Sequence, residues 1–192
     1  ALHGAGAEEL MFDMGRYMIC PVYGTKFGAK VFKISREESG QRMTWMKVTG
    51  GTLKVKMSLS GLADQENWEE KVHEIRIYSG GKYEAVKEAE AGTVCAVTGL
   101  TRTRPGEGLG AEEASVLPVL EPVLTFRILL PDGTDRRQMF RKLKLLEEEE
   151  PKLHIRCDEK LQEIQAQLMG EVQMEVLKAL IRERFEVPVD FE

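Results

Sequence analysis

Apolar and polar residues alternate along much of the chain between residues 26 and 118. In the stretch TLKVKMSLS the apolar positions are Leu53, Val55, Met57 and Leu59, and the polar positions are Lys54, Lys56, Ser58 and Ser60. A period of two puts successive side chains on opposite faces, which is typical of a half-buried β-strand. We therefore predict one continuous strand here, with both lysines on its polar face.

Further strands are predicted on both sides of this stretch. AKVFKIS and RMTWMKV flank a turn at Ser39-Gly40, and KVHEIRIYS precedes a turn at Gly80-Gly81. GTVCAVTGL is a short apolar run, typical of a fully buried strand in which Cys95 would be a structural thiol. The segment GEGLG, at residues 106–110, is interpreted as a flexible loop. Closely spaced strands with glycine turns predict a β-barrel or sandwich over residues 26–118.

The pattern changes after residue 119. LTFRILL alternates, Asp135 is a candidate helix N-cap with Gln138 three residues later, and an apolar helical stripe then runs to Pro151. LHIRC and EIQAQLM alternate as two strands, GEVQMEVLKALIRERFEV is helical, and VPVDF is a closing strand. The order strand–helix–strand–strand–helix–strand predicts a ferredoxin-like α+β domain over residues 119–192. The junction with the barrel is expected at residues 117–121.

The first and the last predicted helices each lead to an expectation about packing. Residues 5–18 form an amphipathic pattern that cannot bury its own apolar stripe, so this helix is expected to dock on other structure. In the last helix, Gly170 is expected to permit a sharp turn from strand to helix. The apolar face of that helix is predicted to consist of Val172, Val176, Ala179 and Leu180.

The helix that begins after Asp135 has an unfavourable charge order. Arg136 and Arg137 stand at its start, and four glutamates at residues 147–150 stand at its end. This order opposes the helix dipole, at a cost of roughly 0.3–1 kcal/mol for each exposed charge. Either tertiary partners compensate these charges or the helix start faces an anion such as RNA. The glutamate run by itself is interpreted as a solvated acidic patch.

The net charge argues against a free nucleic-acid-binding protein and restricts any RNA contact to a few residues. The chain of 192 residues has a net charge of −5, so it does not have the composition of a free nucleic-acid-binding protein. Any RNA contact must be local. The candidate residues are Lys54 and Lys56 on their predicted strand, Arg102 and Arg104 in the loop TGLTRTRPGEGLG, and Arg136 and Arg137 at the helix start.

Motifs for catalysis or for cofactors are not found. The Gly81-Lys82 pair is followed by Tyr83 and lacks the other residues of a phosphate-binding loop, so we expect no nucleotide binding and no enzyme activity from this chain. The three cysteines and three histidines are scattered without metal-ligand spacing, so no metal site is expected. Unpaired cysteines favour a reducing, cytoplasmic compartment. No apolar run approaches the roughly 20 residues that span a bilayer.

Several segments resemble one family. GAKVFKI with VTGGTLK, and AGTVCAVTGL, resemble strands in domain II of ribosomal translocation GTPases such as elongation factor G. GEVQMEVLKALIRERFEV resembles the domain III signature of these proteins, and its VQMEV segment is similar to that of tetracycline-resistance ribosomal protection proteins. Residues 1–25 are similar to the last helix of a GTPase domain and its linker. The resemblance covers nearly the whole chain.

The resemblance implies a function. A parent protein of this kind binds the ribosome, uses GTP and Mg in a GTPase domain, and dislodges tetracycline through a C-terminal domain, and both of those domains would lie outside this chain. The piece described here would contact small-subunit ribosomal RNA and couple those domains, in the cytoplasm and without a membrane partner. Three alternatives stay open: elongation factor G acting in translocation, a small-molecule-sensing regulatory module, and a free-standing RNA-binding protein, which the net charge disfavours.

Overall fold

The first half of the chain is an antiparallel β-structure. A computed structural model describes residue 4, residues 6–18, 21–37, 39–63, 66–115, residue 122, and residues 124–158 and 163–192, without the side chains of 62 and 63. Helix α1 (Ala7–Tyr17) comes first. Ten strands follow: β1 (Gly28–Arg36), β2 (Arg42–Gly50), β3 (Thr52–Lys54), β4 (Ser58–Ala63), β5 (Glu66–Lys71), β6 (Glu74–Ser79), β7 (Lys82–Val86), β8 (Glu88–Glu90), β9 (Val94–Thr98) and β10 (Gly108–Gly110).

These strands surround one hydrophobic core. Six of them form a sheet in the order β10-β1-β2-β9-β6-β7, while β3 pairs with β8 and β4 pairs with β5. The core takes side chains from all three sheets, including Ile34, Leu53 and Leu59. The predicted turns at Gly40 and Gly80 connect antiparallel strands, and both glycines have positive φ angles of 82° and 62°. Cys95 is buried as predicted, and its burial raises the pKa of the thiol to about 12.

The predicted continuous strand through TLKVKMSLS is wrong. Strand β3 ends at Lys54, Lys56 turns the chain with a φ of 68°, and β4 begins at Ser58. Lys54 and Lys56 therefore do not share one strand face. Leu53 and Leu59 are nevertheless both buried. The period of two did not reveal the turn because apolar and polar residues keep alternating through it, with no glycine or proline to mark it.

The segment GEGLG also differs from its prediction as a flexible loop. Gly108 and Gly110 belong to β10, which pairs with β1. A Cβ atom on Gly108 would lie 2.3 Å from the carbonyl oxygen of Glu112, and one on Gly110 would lie 2.4 Å from that of Phe27. These glycines allow a close approach of backbones rather than mobility.

The second half is an antiparallel sheet with two helices. Its elements are β11 (Leu124–Leu129), α2 (Arg136–Glu149), a 3₁₀ turn (Pro151–Leu153), β12 (Arg156–Asp158), β13 (Glu163–Leu168), α3 (Glu171–Phe185) and β14 (Asp190–Phe191). The sheet order is β12-β13-β11-β14. Asp135 caps α2 as predicted, because its side chain accepts hydrogen bonds from the backbone N–H groups of Arg137 and Gln138. Met139, Leu143 and Leu146 turn inward from α2 to a second core.

Helix α3 buries a different face from the predicted one. Val172 and Val176 are 77% and 61% exposed, whereas Leu177 and Ile181 are buried in the second core. The sequence has apolar residues on two adjoining stripes, and the periodicity could not decide which of them meets the sheet. The expected role of Gly170 is also wrong, since its φ of 167° is extended backbone and a Cβ atom there would have no neighbour within 4 Å.

Two smaller expectations are corrected in the same region. The segment LHIRC is not a single strand, because Leu153 ends the 3₁₀ turn and His154 is left-handed with a φ of 40°. Cys157, which shares the alternating apolar positions of this segment with Leu153 and Ile155, is exposed, so these positions do not form one buried face. The expected junction at residues 117–121 lies outside the described residues. The two cores share no residue, and α1 contributes no buried side chain to either.

Candidate functional site

Three of the four glutamates at the end of α2 have basic partners, which come from α2, α3 and the first hairpin. Glu149 accepts two hydrogen bonds from Arg184, at 2.6 and 3.0 Å. Glu147 accepts from the backbone N–H of Ile155 at 3.0 Å and from the ammonium group of Lys144. The interpretation of these residues as a solvated acidic patch is therefore wrong. Tertiary partners compensate the negative end of the helix, which is one of the two explanations that the charge order allowed.

Glu148 joins the two halves of the molecule. Its Oε2 atom lies 2.8 Å from Nη2 of Arg36 and 3.2 Å from Nε of Arg42. Both arginines belong to the first hairpin of the β-structure, β1–β2. These two ion pairs therefore cross from one core to the other, and we call Arg36, Arg42 and Glu148 the domain clamp.

Arg42 is fixed by more than its carboxylate partner. Its guanidinium donates to the carbonyl oxygens of Leu100 at 2.8 Å and of Thr103 at 2.5 Å. It also donates to the hydroxyl groups of Thr44 at 3.1 Å and of Thr103 at 3.0 Å. Burial lowers the pKa of Arg42, against the hydrogen bond and charge of Glu148, which raise it. An arginine stays charged under these conditions, so Arg42 is a permanent cation held in place by five acceptors.

A cleft opens beside the clamp at the junction of the two halves. Its volume is about 520 Å³. It is lined by Arg42, Thr101, Arg102, Thr103, Arg104, Pro105, Glu147, Glu148 and Pro151. Two of the predicted RNA-contact residues, Arg102 and Arg104, thus lie beside the clamp, and the loop that carries them is one wall of the domain junction.

This loop is held by acidic residues on both sides. Glu70 accepts from the backbone N–H of Thr101 at 2.6 Å, and Glu107 accepts from that of Arg104 at 3.0 Å. Arg102 forms an ion pair with Glu66 at 2.9 Å and remains 45% exposed. Burial raises the pKa of Glu107, although its hydrogen bonds and the nearby arginines lower it. The loop is therefore a fixed wall, with the Arg102 guanidinium at its surface.

The other predicted RNA-contact residues do not line this cleft. Lys54 is 65% exposed beside Glu88, at 3.5 Å, and Lys56 is exposed at the turn between β3 and β4. Arg136 and Arg137 are the exposed first residues of α2. Sequence reasoning missed Arg36 and Arg42, which look like ordinary strand residues. The available signal was the glutamate run. Glu147 pairs with Lys144 inside α2, whereas Glu148 and Glu149 pair with arginines outside it.

In the ranges that the structure describes, no three histidine, cysteine, aspartate or glutamate residues are grouped as metal ligands would be. None of the helices in the same ranges is both long enough and apolar enough to cross a membrane.

Two family models match the chain. The model for elongation factor G domain 2 matches residues 26–111, and the model for elongation factor G, domain III, matches residues 119–192. These ranges correspond to the two regions that contain the separate cores.

Curated relatives match over the same region. The tetracycline resistance protein TetP of Clostridium perfringens is 30% identical over 164 residues, which are 84% of this chain and 25% of TetP. Elongation factor 2 of Thermococcus onnurineus is 27% identical over 187 residues, which are 95% of this chain and 25% of that protein. Elongation factor G 2 of Treponema pallidum is 26% identical over 165 residues, which are 84% of this chain and 24% of that protein. The chain therefore spans about a quarter of the length of these relatives.

A solved structure shares the fold. The crystal structure of a protein from Thermus thermophilus superimposes with a TM-score of 0.77 and 22% sequence identity, over 97% of this chain and 29% of that one. The two family models match the β-structure and the antiparallel sheet domain that follows it, and the solved structure has the same fold. The chain belongs to the elongation factor G-like family of translational GTPases, and most of its length consists of the second and third domains of that family.

Proposed function

We propose that this chain is the connecting middle of a ribosome-binding translational GTPase. The observation that carries the proposal is the domain clamp, in which Glu148 of one domain pairs with Arg36 and Arg42 of the other. Because Arg42 also holds two carbonyl groups of the cleft wall, a movement of either domain is transmitted to the other. Such a joint suits a protein in which the nucleotide state at one end changes the position of domains at the other.

The finer assignment is protection of the ribosome from tetracycline. The relative TetP is named for tetracycline resistance and is 30% identical over the matched region. The sequence VQMEV supports the same branch, and its Gln173 accepts a hydrogen bond from the backbone N–H of Met169 at 2.7 Å, at the start of α3. The alternative is translocation, which the names of the elongation factors at 27% and 26% identity favour.

The remaining parts of the proposal concern partners. Small-subunit ribosomal RNA is the proposed partner of the exposed cations Lys54, Lys56, Arg102, Arg104, Arg136 and Arg137. GTP and Mg would bind to a GTPase domain that this chain does not include, and the whole protein would act in the cytoplasm. The contribution that we propose for this region is binding and coupling rather than chemistry.

The experiment that separates the two branches uses the full-length gene. Its expression in a tetracycline-susceptible bacterium is expected to raise the tetracycline concentration that stops growth, without rescuing a strain depleted of elongation factor G. The reverse result, rescue without resistance, would assign the protein to translocation. If neither occurs and the purified chain binds a metabolite in the cleft without affinity for ribosomes, the regulatory-module alternative replaces both.

A further inference from the structure

The outer face of the six-stranded sheet has an aromatic surface. The Trp45 and Tyr78 rings lie 4.8 Å apart between centroids, and the Tyr78 and Tyr83 rings lie 5.2 Å apart. These rings come from β2, β6 and β7, although β9 separates β2 from β6 in the sheet. The residue of β9 opposite Trp45 is Ala96. Because its side chain is only a methyl group, the indole can reach across it to Tyr78.

A buried arginine lies on the same face, beside Tyr83. Arg76 is 7% exposed, and its guanidinium lies 4.4 Å from the ring centroid of Tyr83, which is 48% exposed. Ion pairs of 2.6 Å to Glu37 and Glu74 fix the guanidinium. The guanidinium and the ring are close enough for a favourable cation–π contact, and about half of the Tyr83 side chain stays exposed.

Two lysines flank the aromatic residues on the same face. Lys33 is directly opposite Trp45 in the β1–β2 pair, and Lys47 is two residues beyond Trp45 on β2. Opposed residues share a face, and residues two apart on a strand do as well. Both lysines are exposed. In the part of the chain that the structure describes, neither forms an ion pair or a side-chain hydrogen bond.

We propose that Trp45, Tyr78, Tyr83, Lys33 and Lys47 form a binding surface for unpaired bases of single-stranded RNA, which we call the aromatic platform. The inference rests on the proposed function, since it names the surface and the kind of RNA through which this domain contacts the ribosome. Exposed aromatic rings stack on bases of any sequence, and lysines contact the phosphates between them. Four-stranded sheets of RNA-binding domains stack two or three bases on such residues, so the site holds about three nucleotides.

Cross-strand aromatic pairs also stabilise sheets, but that role does not account for the lysines. Contacts between the rings alone do not require two unpaired cations beside Trp45. Duplex RNA is a poorer fit, because its bases are already stacked and unavailable to the rings. The combination of one exposed ring, two partly exposed rings and unpaired ammonium groups therefore selects a polyanion with accessible bases.

The test uses the 192-residue chain and a fluorescein-labelled single-stranded RNA of 12 nucleotides, with a duplex of the same sequence for comparison. Anisotropy is expected to show tighter binding of the single strand. Intrinsic fluorescence is a second measurement, because the chain has two tryptophans and Trp68 is only 4% exposed. Quenching on addition of RNA would therefore report stacking on Trp45.

Two variants test the two parts of the platform. Tyr83→Leu keeps apolar volume and removes a stacking ring, and is expected to weaken single-strand binding about 5- to 100-fold. Lys33→Gln with Lys47→Gln is expected to reduce the slope of log affinity against log salt by roughly 1.4, because each single-strand phosphate contact contributes about 0.7. Lys71→Gln with Lys87→Gln removes the same charge at two other exposed positions and is the matched control, with binding of this RNA unchanged.

Circular dichroism and thermal melting show whether each variant remains folded. Sedimentation of the chain with ribosomes is measured as well, because it tests the proposed function independently of the aromatic platform. If the chain sediments with ribosomes but Tyr83→Leu and the Lys33/Lys47 double variant leave RNA binding unchanged, the platform is wrong and the proposed function stands. If the chain binds RNA through the platform but never sediments with ribosomes, the proposed function fails and the platform stands. If Tyr83→Leu weakens sedimentation while the chain has no affinity for single-stranded RNA, the surface contacts ribosomal protein and the RNA assignment is wrong.

Discussion

Arg42 and Arg102 line the same cleft, yet the structure holds them in different ways. The Arg42 side chain is 10% exposed and donates to two carbonyls, two hydroxyls and the carboxylate of Glu148. The Arg102 side chain is 45% exposed and has one carboxylate partner, Glu66, which is itself 71% exposed. One arginine is a structural joint between two domains, and the other is a surface cation.

This difference in exposure and hydrogen bonding decides whether an arginine can bind an anion of another molecule. A guanidinium whose donors are all used cannot bind an anion without breaking native contacts. A surface pair contributes little to stability and can be exchanged for another anion such as phosphate. The clamp residues should therefore control stability and the arrangement of the domains, whereas Arg102 should affect only binding.

The largest expected effect comes from removing Arg42. Arg42→Ala leaves buried carbonyl and hydroxyl acceptors without a donor, so the free energy of unfolding should fall by roughly 2–4 kcal/mol. Urea denaturation monitored by circular dichroism measures this change. Arg42→Lys keeps the charge but cannot reproduce the planar fork, so an intermediate loss is expected. A loss below about 0.5 kcal/mol for Arg42→Ala would be no larger than that of a surface ion pair, and would contradict the structural role of Arg42.

Changing the carboxylate of the clamp should have a smaller effect on stability. Glu148→Gln keeps an acceptor and removes the charge that attracts both arginines, and because Glu148 is 40% exposed, the expected loss is about 1 kcal/mol. Glu150→Gln is the matched control, since Glu150 is exposed and has no side-chain partner in the described ranges. Equal effects of the two substitutions would show that the clamp contributes no more than general charge.

Glu107, at the base of the loop, should make the stability of the fold depend on pH. Burial raises the pKa of this carboxyl in the folded state, so the folded chain holds a proton that the unfolded chain has already released. The contribution of Glu107 is therefore most favourable below its ordinary pKa of 4.5, and it declines as pH rises from there through the folded pKa. Stability curves from pH 4 to 8 should fall less steeply for Glu107→Gln, and parallel curves would contradict this assignment.

The smallest effect on stability is expected at Arg102. Arg102→Ala should change the free energy of unfolding by less than about 0.5 kcal/mol, because the pair with Glu66 is exposed. In the full-length protein, Arg102→Ala with Arg104→Ala should weaken ribosome binding and reduce its salt dependence. Ribosome sedimentation across a salt series measures both quantities. Unchanged binding would mean that this wall of the cleft faces solvent in the complex.

Local chemistry explains why parts of the fold could be predicted from the sequence. Asp135 caps α2, Gly40 and Gly80 occupy turns, and Ile164, Ala166 and Leu168 are buried at a period of two. Each of these positions depends on neighbours within a few residues. The face that α3 buries depends instead on the sheet that receives it, so Val172 and Leu177 could not be told apart by periodicity.

Less of the candidate site could be predicted from the sequence, because its residues pair over long distances along the chain. Arg36 and Arg42 lie 112 and 106 residues from Glu148 in the chain, and no local pattern connects them. Arg102 and Arg104 were identified because they lie close together beside glycines. The charge order of α2 did point to tertiary partners, but it could not say which arginines they were. The platform residues Trp45, Tyr78 and Tyr83 likewise meet only through the sheet order.

If Glu148 holds the two domains in one arrangement, removing its charge should change the distance between them, and that distance can be measured. Spin labels are placed on the exposed thiol of Cys157 and on a cysteine that replaces exposed Ser60, with Cys20→Ser to remove a competing thiol, while Cys95 is buried. Double electron–electron resonance should give a single narrow distance distribution for this background and for Glu150→Gln, and a broad or shifted distribution for Glu148→Gln. Distributions of equal width and position for all three proteins would contradict the claim that the clamp fixes the domains.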